Sequence, residues 1–144
     1  MIKVSMVPPE YVVECWEHVK GYLAGSIQYT YGRFELEDIL TAITDHDHQL
    51  WVAFDEERDY GAVVTNFMEY PRKKYVNLVF AGGVEGHRWK ASMLELLQHW
   101  AYDNGCEGIE SIGRPGWSKI FKHDGYKQIG CIFELPAAKT GIGV

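Results

Sequence analysis

The segment 75–83, with the sequence Tyr-Val-Asn-Leu-Val-Phe-Ala-Gly-Gly, decides the fold of this 144-residue chain. Its first seven residues are mostly apolar, which predicts a strand at the centre of a sheet, and the two glycines end that strand. The next apolar residues recur at every third or fourth position, which predicts a long helix from His87 to Tyr102. These positions are Trp89, Met93, Leu96, Leu97 and Trp100. A central strand followed by a long helix is typical of mixed α/β folds.

The residues before this segment extend the same pattern. Apolar and strand-forming residues predict strands at 1–7, 49–54 and 61–68, and a polar connection joins the last two as an antiparallel hairpin. A spacing of three to four residues predicts a helix that begins just after Pro8-Pro9 and ends at a breaker region from Gly25 to Gly32. A second helix opens at Glu35-Leu36-Glu37-Asp38, where acidic residues favour the positive end of the helix dipole.

The residues after the long helix predict three further elements. These are a strand at 106–112, a short helix at 117–122 and a final strand at 129–135. The order is therefore β, α, α, β, β, β, α, β, α, β, in one domain that covers 1–135. The small residues and two glycines of 136–144 predict a flexible tail.

The composition limits the classes of function. The 14 Lys plus Arg and 20 Asp plus Glu give a formal net charge of −6, and 47% of the residues are hydrophobic. This acidic balance disfavours general nucleic-acid binding, and only Arg72 to Lys74 form a local basic patch. No apolar run approaches the roughly 20 residues that span a bilayer, so we expect a folded cytoplasmic protein without a membrane segment.

The run Asp45-His46-Asp47-His48 is the one cluster with the side chains of a metal site. Carboxylates and imidazoles are common ligands, but neighbouring residues rarely surround one ion without ligands from elsewhere. We therefore interpret the run as a polar loop between a helix and a strand, and we predict no metal site.

The order of elements resembles that of the GCN5-related N-acetyltransferase (GNAT) family. The stretches Gly105-Cys106-Glu107-Gly108-Ile109-Glu110 and Gly113-Arg114-Pro115-Gly116-Trp117 are similar in particular to small GNAT-like proteins of tailed bacteriophages, which include acetyltransferases and internal virion proteins. The resemblance implies a mixed, mostly antiparallel sheet flanked by helices. It also implies that the strands at 75–81 and 106–112 splay apart as a V.

The resemblance further implies a binding site for acetyl-coenzyme A in this V. Splayed strands leave backbone groups unpaired, and the pantetheine arm can pair with them as a substitute strand. The pyrophosphate would rest on the N-terminus of the long helix, where N–H groups and the dipole favour anions. The residues expected to contact the cofactor are Phe80, Ala81, Gly82, Gly83, His87, Arg88, Lys90 and Arg114.

The pyrophosphate loop departs from the family pattern, which is Arg or Gln followed by x-x-Gly-x-Gly or Ala. In the segment 86–91, Ala91 occupies the last small position, whereas His87 and Trp89 stand where the family has glycine. Two explanations remain open. Trp89 is either the first core residue of the helix, with the loop shifted in register, or a side chain that fills the cofactor cleft.

The predicted catalytic residues depart from the family as well. Counting back from Gly125 places Phe121 where the family has a Tyr that protonates the leaving thiolate, and His123 is the nearby substitute. Glu110 is our first choice as the general base for the amine, and Glu85 is the second. The alternative is that both glutamates are solvated surface residues.

The resemblance thus implies an acyltransferase that moves an acetyl group to a primary amine, on a small molecule or a protein, by direct attack. The alternative is a non-catalytic protein of the same fold, which serves as a virion component or binds a phage or host protein. His87, Trp89 and Phe121 favour this alternative, because each replaces a residue that the usual chemistry uses.

Overall fold

A computed structural model describes residues 1–112 and 125–139 of the chain. The chain divides into two compact units, Met1–Ser111 and Ile112–Val144. Within the described ranges, all strands and helices lie in the first unit, and 126–139 form neither. No helix among these residues is long and apolar enough to cross a bilayer.

The first unit contains five strands and three α-helices. The strands are β1 (Lys3–Met6), β2 (Gln49–Phe54), β3 (Asp59–Glu69), β4 (Lys74–Gly83) and β5 (Gly108–Glu110). The α-helices are α1 (Val12–Ile27), α2 (Leu36–Thr44) and α3 (Lys90–Asp103). Short 3-10 turns cover Pro9–Tyr11, Gln28–Thr30 and Gly86–Arg88.

The five strands form one sheet in the order β1-β2-β3-β4-β5. The first three pairs of neighbours are antiparallel, and β4 and β5 run parallel. The predicted mixed, mostly antiparallel sheet is therefore confirmed. The register of β3 and β4 shifts by one residue, because Val64 faces Phe80 and Thr65 faces Leu78. Val79 is the extra residue of this β-bulge, which bends β4 locally.

The two faces of the sheet carry different helices. On one face, α1 and α2 bury a core around Leu23, Ile39, Leu50 and Phe80. On the other face, Trp100 of α3 packs against Trp51 and Phe67, with ring centroids 5.0 and 4.9 Å apart. Trp51 Nε1 donates to Thr65 Oγ1 at 2.9 Å, which satisfies the indole inside this second core.

Helix α1 is longer than its sequence predicts. It continues through Gly25 to Ile27, so the breaker region predicted from Gly25 to Gly32 begins too early. The buried positions of α1 are Val12, Trp16, Val19 and Leu23. A glycine costs a helix about 1 kcal/mol, and burying this apolar face against the sheet outweighs that cost.

The C-terminal elements differ most from the prediction. The strand expected at 106–112 pairs only over Gly108–Glu110. The strand expected at 129–135 is wrong, because these residues form no strand and the side chains of Phe133 and Leu135 are 90% and 93% exposed. Strand propensity needs a packed, hydrogen-bonded partner to produce a strand, and none pairs with 129–135 among the described residues. The helix predicted at 117–122 lies outside the described residues.

Candidate functional site

The edge of β4 that faces β5 is paired over only part of its length. The parallel register joins Tyr75 to Gly108, Val76 to Ile109 and Asn77 to Glu110 and then stops. β4 itself continues to Gly83, and no strand in the described part of the chain pairs with this edge beyond Asn77. The pairing of β4 with β5 therefore ends at Asn77 and Glu110, which is where the predicted V would begin. We call the edge of β4 from Leu78 to Gly83 the cleft edge.

The hydrogen bonds of β4 show which residues present backbone groups at the cleft edge. Val84 N–H donates to Tyr60 O at 2.7 Å. Because antiparallel residues alternate in direction, Phe80 and Gly82 bond to β3, whereas Ala81 faces the cleft. Of the predicted cofactor residues on β4, Ala81 therefore has the required orientation. Phe80 instead belongs to the core, and its ring lies 5.5 Å from that of Phe34.

Two serine side chains donate hydrogen bonds to backbone carbonyl groups of the cleft edge. Ser26 Oγ, near the end of α1, donates to Ala81 O at 2.8 Å. Ser111 Oγ, directly after β5, donates to Leu78 O at 3.0 Å. Neither serine could be predicted from the sequence, because they lie 55 and 33 residues from their partners and nothing in their local pattern marks them.

Gly82 is required by the close approach of α1 to β4. A Cβ atom at this position would collide with the backbone carbonyl of Tyr22. The Tyr22 hydroxyl also donates to Asp59 O at 2.8 Å, which ties α1 to the start of β3. The prediction that the strand ends before Gly82 is therefore wrong, because β4 continues to Gly83. The absence of a side chain at Gly82 instead allows α1 to pack against β4.

Trp89 is a core residue at the start of α3. Its side chain is 7% exposed, and its Nε1 donates to Val84 O at 2.9 Å. The ring lies so close to Gly61 and Gly83 that a Cβ atom at Gly61 would collide with it. Of the two explanations for its place in the loop, the structure supports the first, in which Trp89 anchors the helix.

The cationic residues predicted to hold phosphate gather at the N-terminus of α3. His87 and Arg88 are exposed, and Lys90 is half-buried at the first helical position. Arg88 pairs with Glu85 at 3.1 Å, and this hydrogen bond is the main cause of the raised pKa of Arg88. Arg88 also lies over the Tyr60 ring, 5.3 Å from its centroid. Glu85, the second choice for the general base, is therefore the partner of a cation.

Glu110 lies at the end of β5, where the two strands part. It is half-buried and pairs in register with Asn77. Tyr70, in the turn between β3 and β4, donates its hydroxyl to Glu110 Oε1 at 2.7 Å, and this bond raises the pKa of Tyr70. The Tyr75 ring lies 6.0 Å from that of Tyr70, and Asn77 Nδ2 donates to Asn66 Oδ1 at 3.0 Å.

We call these five residues the polar cluster. Asn66 and Asn77 alternate along their strands with buried residues that face α3, so they lie on the face that α1 covers. Sequence reasoning found Glu110 alone, because Tyr70 reaches it across 40 residues. His123 and Arg114, the other predicted site residues, lie outside the described part of the chain.

Comparisons with solved structures agree with this architecture. A predicted acetyltransferase from Clostridium acetobutylicum, solved with acetyl-CoA, is 11% identical with a TM-score of 0.67, and the match covers 94% of this chain and 96% of that one. The aminoglycoside N-acetyltransferase AAC(6')-Iy, solved with CoA, is 14% identical with a TM-score of 0.67 and 95% coverage of both chains. A transcriptional regulator from Bacillus halodurans is 13% identical with a TM-score of 0.67, covering 95% of this chain and all of the other.

The chain therefore has the GNAT fold that acetyltransferases share. No family model matches its sequence, and no curated protein does at a significant level. One of the similar structures is a transcriptional regulator, so the fold by itself does not establish an acetyltransferase activity. No comparison tests the resemblance to phage proteins, which stays a prediction.

Proposed function

We propose that the protein binds acetyl-CoA along the cleft edge and transfers the acetyl group to a primary amine. The observation that carries this proposal is the end of the β4–β5 pairing at Glu110, beside the bulge at Val79. A strand edge that ends in a bulge offers backbone groups to an extended ligand, and Glu110 places a carboxylate next to it. Similar structures that hold acetyl-CoA or CoA support the same ligand.

In this proposal the pantetheine arm pairs with the backbone of Ala81, and its diphosphate rests at the start of α3. Trp89, the N-cap residue of α3, makes no side-chain cap, and the N-terminus of a helix favours an anion. His87, Arg88 and Lys90 supply positive charge there. Arg114, predicted as a further phosphate ligand, lies outside the described residues. Gly83, at the end of β4, leaves the backbone without a side chain beside this path.

Glu110 serves as the general base. It takes a proton from the attacking amine as the nitrogen forms a bond to the thioester carbon, and the carbon–sulfur bond then breaks. The leaving thiolate takes a proton from His123 or from water, and Glu110 releases its proton to solvent. The products are an N-acetylated amine and CoA.

The cysteines of the first unit favour direct attack over an acetyl-cysteine intermediate. Desolvation by burial is the main cause of the raised pKa of both Cys15 and Cys106. Both residues therefore remain thiols at neutral pH, and a thiol is a much weaker nucleophile than a thiolate.

The acceptor in this proposal is a small molecule or a protein that carries a primary amine. An aminoglycoside acetyltransferase solved with sisomicin is among the similar structures, with a TM-score of 0.64. That ligand carries several amines, which supports amino sugars as a class to test. The non-catalytic alternative, a phage protein that binds a virion or host partner, loses one argument, because Trp89 is a core residue. His87 and Phe121 still favour it.

The test is calorimetric titration of the full chain with acetyl-CoA, followed by assays of thiol release with an alkyl amine, a polyamine and an amino sugar. We expect micromolar binding by the wild type. Glu110→Gln should bind acetyl-CoA as tightly and lose about 100-fold or more of the transfer rate. Tyr75→Phe, which removes a hydroxyl from the same cluster, is the matched control and should keep the rate within a few fold. Absence of acetyl-CoA binding by the wild type would reject the proposal.

A further inference from the structure

Two carbonyl groups of the cleft edge accept hydrogen bonds from serine side chains. Ala81 O accepts from Ser26 and Leu78 O accepts from Ser111, at 2.8 and 3.0 Å. The two serines come from different elements, the end of α1 and the residue after β5. Each supplies the donor that a neighbouring strand would supply if β5 continued along β4.

This arrangement has a physical reason. A partly buried carbonyl without a donor costs free energy, so an open strand edge is unfavourable in the unliganded protein. Ser26 and Ala81 are both half-buried, where such a cost matters. A serine hydroxyl can donate to the carbonyl oxygen, and rotation about the Cα–Cβ bond of the serine can break that hydrogen bond. The backbone N–H of a neighbouring strand has no such rotation.

We infer that Ser26 and Ser111 are placeholder residues of the cleft, which donate to the β4 carbonyls in the free protein and yield them to the amide N–H groups of the ligand. This inference rests on the proposed function, because the ligand is the pantetheine arm of acetyl-CoA. Binding then exchanges a serine–carbonyl hydrogen bond for a ligand–carbonyl hydrogen bond. The serines therefore stabilise the free protein and weaken its affinity for the ligand.

The inference predicts two effects of opposite sign in Ser26→Ala. Loss of the hydrogen bond should lower the melting temperature of the free protein by about 3 to 5 °C. The same loss removes a competitor for Ala81 O, so the Kd for acetyl-CoA should fall about three- to tenfold. A residue with a merely structural role would lower the melting temperature and leave the Kd unchanged or raise it.

Thr30→Val is the matched control. Thr30 Oγ1 donates to the Ile27 carbonyl at 2.8 Å, and this bond is part-buried like that of Ser26 but lies within one turn of chain. Thr30 Oγ1 also accepts from Phe34 N–H at 3.4 Å. The variant should lower the melting temperature and leave the Kd unchanged. Ser111→Ala provides an independent second test, and it decides the matter if Ser26→Ala does not fold.

The experiment is calorimetric titration of each full-length variant with acetyl-CoA, together with thermal unfolding in the absence of ligand. A lower Kd in either serine variant, with no change in Thr30→Val, supports the inference. Binding by the wild type with an equal or higher Kd in the serine variants overturns it and leaves the proposed function standing. No binding by the wild type or by any variant overturns both.

Discussion

The hydroxyl of Tyr70 lies 2.7 Å from Glu110 Oε1 and joins the turn between β3 and β4 to the end of the last strand of the sheet. The bond is made across 40 residues, at the point where β4 and β5 separate. It occupies one carboxylate oxygen of Glu110, and the other has no hydrogen-bond partner within 1–112 and 125–139. The candidate base is therefore held in one orientation beside the cleft.

The titration of Tyr70 tests this contact. The hydrogen bond to Glu110 raises the pKa of Tyr70, so the phenol form is stabilised in the folded protein. Its contribution to stability is present at neutral pH and is lost as the pH rises above about 10. In Glu110→Ala, we expect the Tyr70 midpoint to fall toward that value. Ultraviolet absorbance of tyrosinate measures it, with the Tyr70→Phe curve subtracted to isolate one residue.

A matched control separates this hydrogen bond from a general change in the cluster. Tyr75→Phe removes the neighbouring hydroxyl, which makes no hydrogen bond to Glu110. The Tyr70 midpoint should fall much less in Tyr75→Phe than in Glu110→Ala, because Tyr75 is the smallest cause of the raised Tyr70 pKa and the hydrogen bond to Glu110 is the largest. An unchanged midpoint in Glu110→Ala would contradict the contact.

Replacement of Trp89 tests whether this residue anchors α3. Because its side chain is 7% exposed and fills the space above Gly61, Trp89→Ala should lower the free energy of unfolding by about 3–5 kcal/mol. Trp89→Phe leaves Val84 O without its donor and should cost about 1–2 kcal/mol. Urea denaturation measures both variants.

The control for Trp89 is its exposed neighbour in the same loop. His87→Ala should change the free energy of unfolding by no more than about 0.5 kcal/mol. If Trp89→Ala were as stable as the wild type and bound acetyl-CoA more tightly, Trp89 would instead be a side chain that fills the cofactor cleft.

Two glycines beside the cleft should respond to alanine in opposite ways. Gly82→Ala introduces a Cβ atom that collides with the Tyr22 backbone, so we expect a loss of about 1–3 kcal/mol and weaker binding of acetyl-CoA as α1 is displaced. A Cβ atom at Gly25, a residue inside α1, would meet no atom within 4 Å apart from the backbone of the helix itself. Gly25→Ala should therefore stabilise the protein by up to about 1 kcal/mol. Chemical denaturation gives both signs, and a stable Gly82→Ala variant would refute the close approach.

The pH dependence of stability tests the environment of His48. Its Nδ1 atom is buried without a hydrogen-bond partner among the described residues, and desolvation by burial lowers the pKa of the imidazole, an effect that Asp47 partly opposes. The unfolded state therefore binds more protons, and stability should fall as the pH drops below about 6.5. We expect His48→Gln to flatten this fall. His18→Gln, at an exposed position of α1, should keep the wild-type slope.

Much of the fold could be predicted from local patterns. β2 begins and ends where its strand-forming residues predict, at Gln49 and Phe54, whereas β4 continues two residues past the predicted end at Ala81, through Gly82 to Gly83. Local patterns could not decide whether 129–135 form a strand, because apolar residues form a strand only where a partner strand is present. Gly25 was misread for a similar reason, since packing on the sheet carries α1 through it.

The candidate site was predicted only in part. The position of Glu110 follows from the order of elements, whereas Tyr70 and Ser26 carry no local signal. Trp89 shows the opposite case, because its helical spacing to Met93 predicted a core position, while the comparison with the family loop left its role open. The structure resolved the question through its contacts with Gly61 and Val84.

The sequence by itself determined the acidic charge and the order of most strands and helices, because these depend on the side chains of near neighbours. The tertiary structure alone decided that Ser26 meets Ala81, that Tyr70 meets Glu110, and that β5 stops where it does. These contacts join residues tens of positions apart. They depend on the strand register of β4 and on the packing of α1 against Gly82, and no local sequence pattern encodes either arrangement.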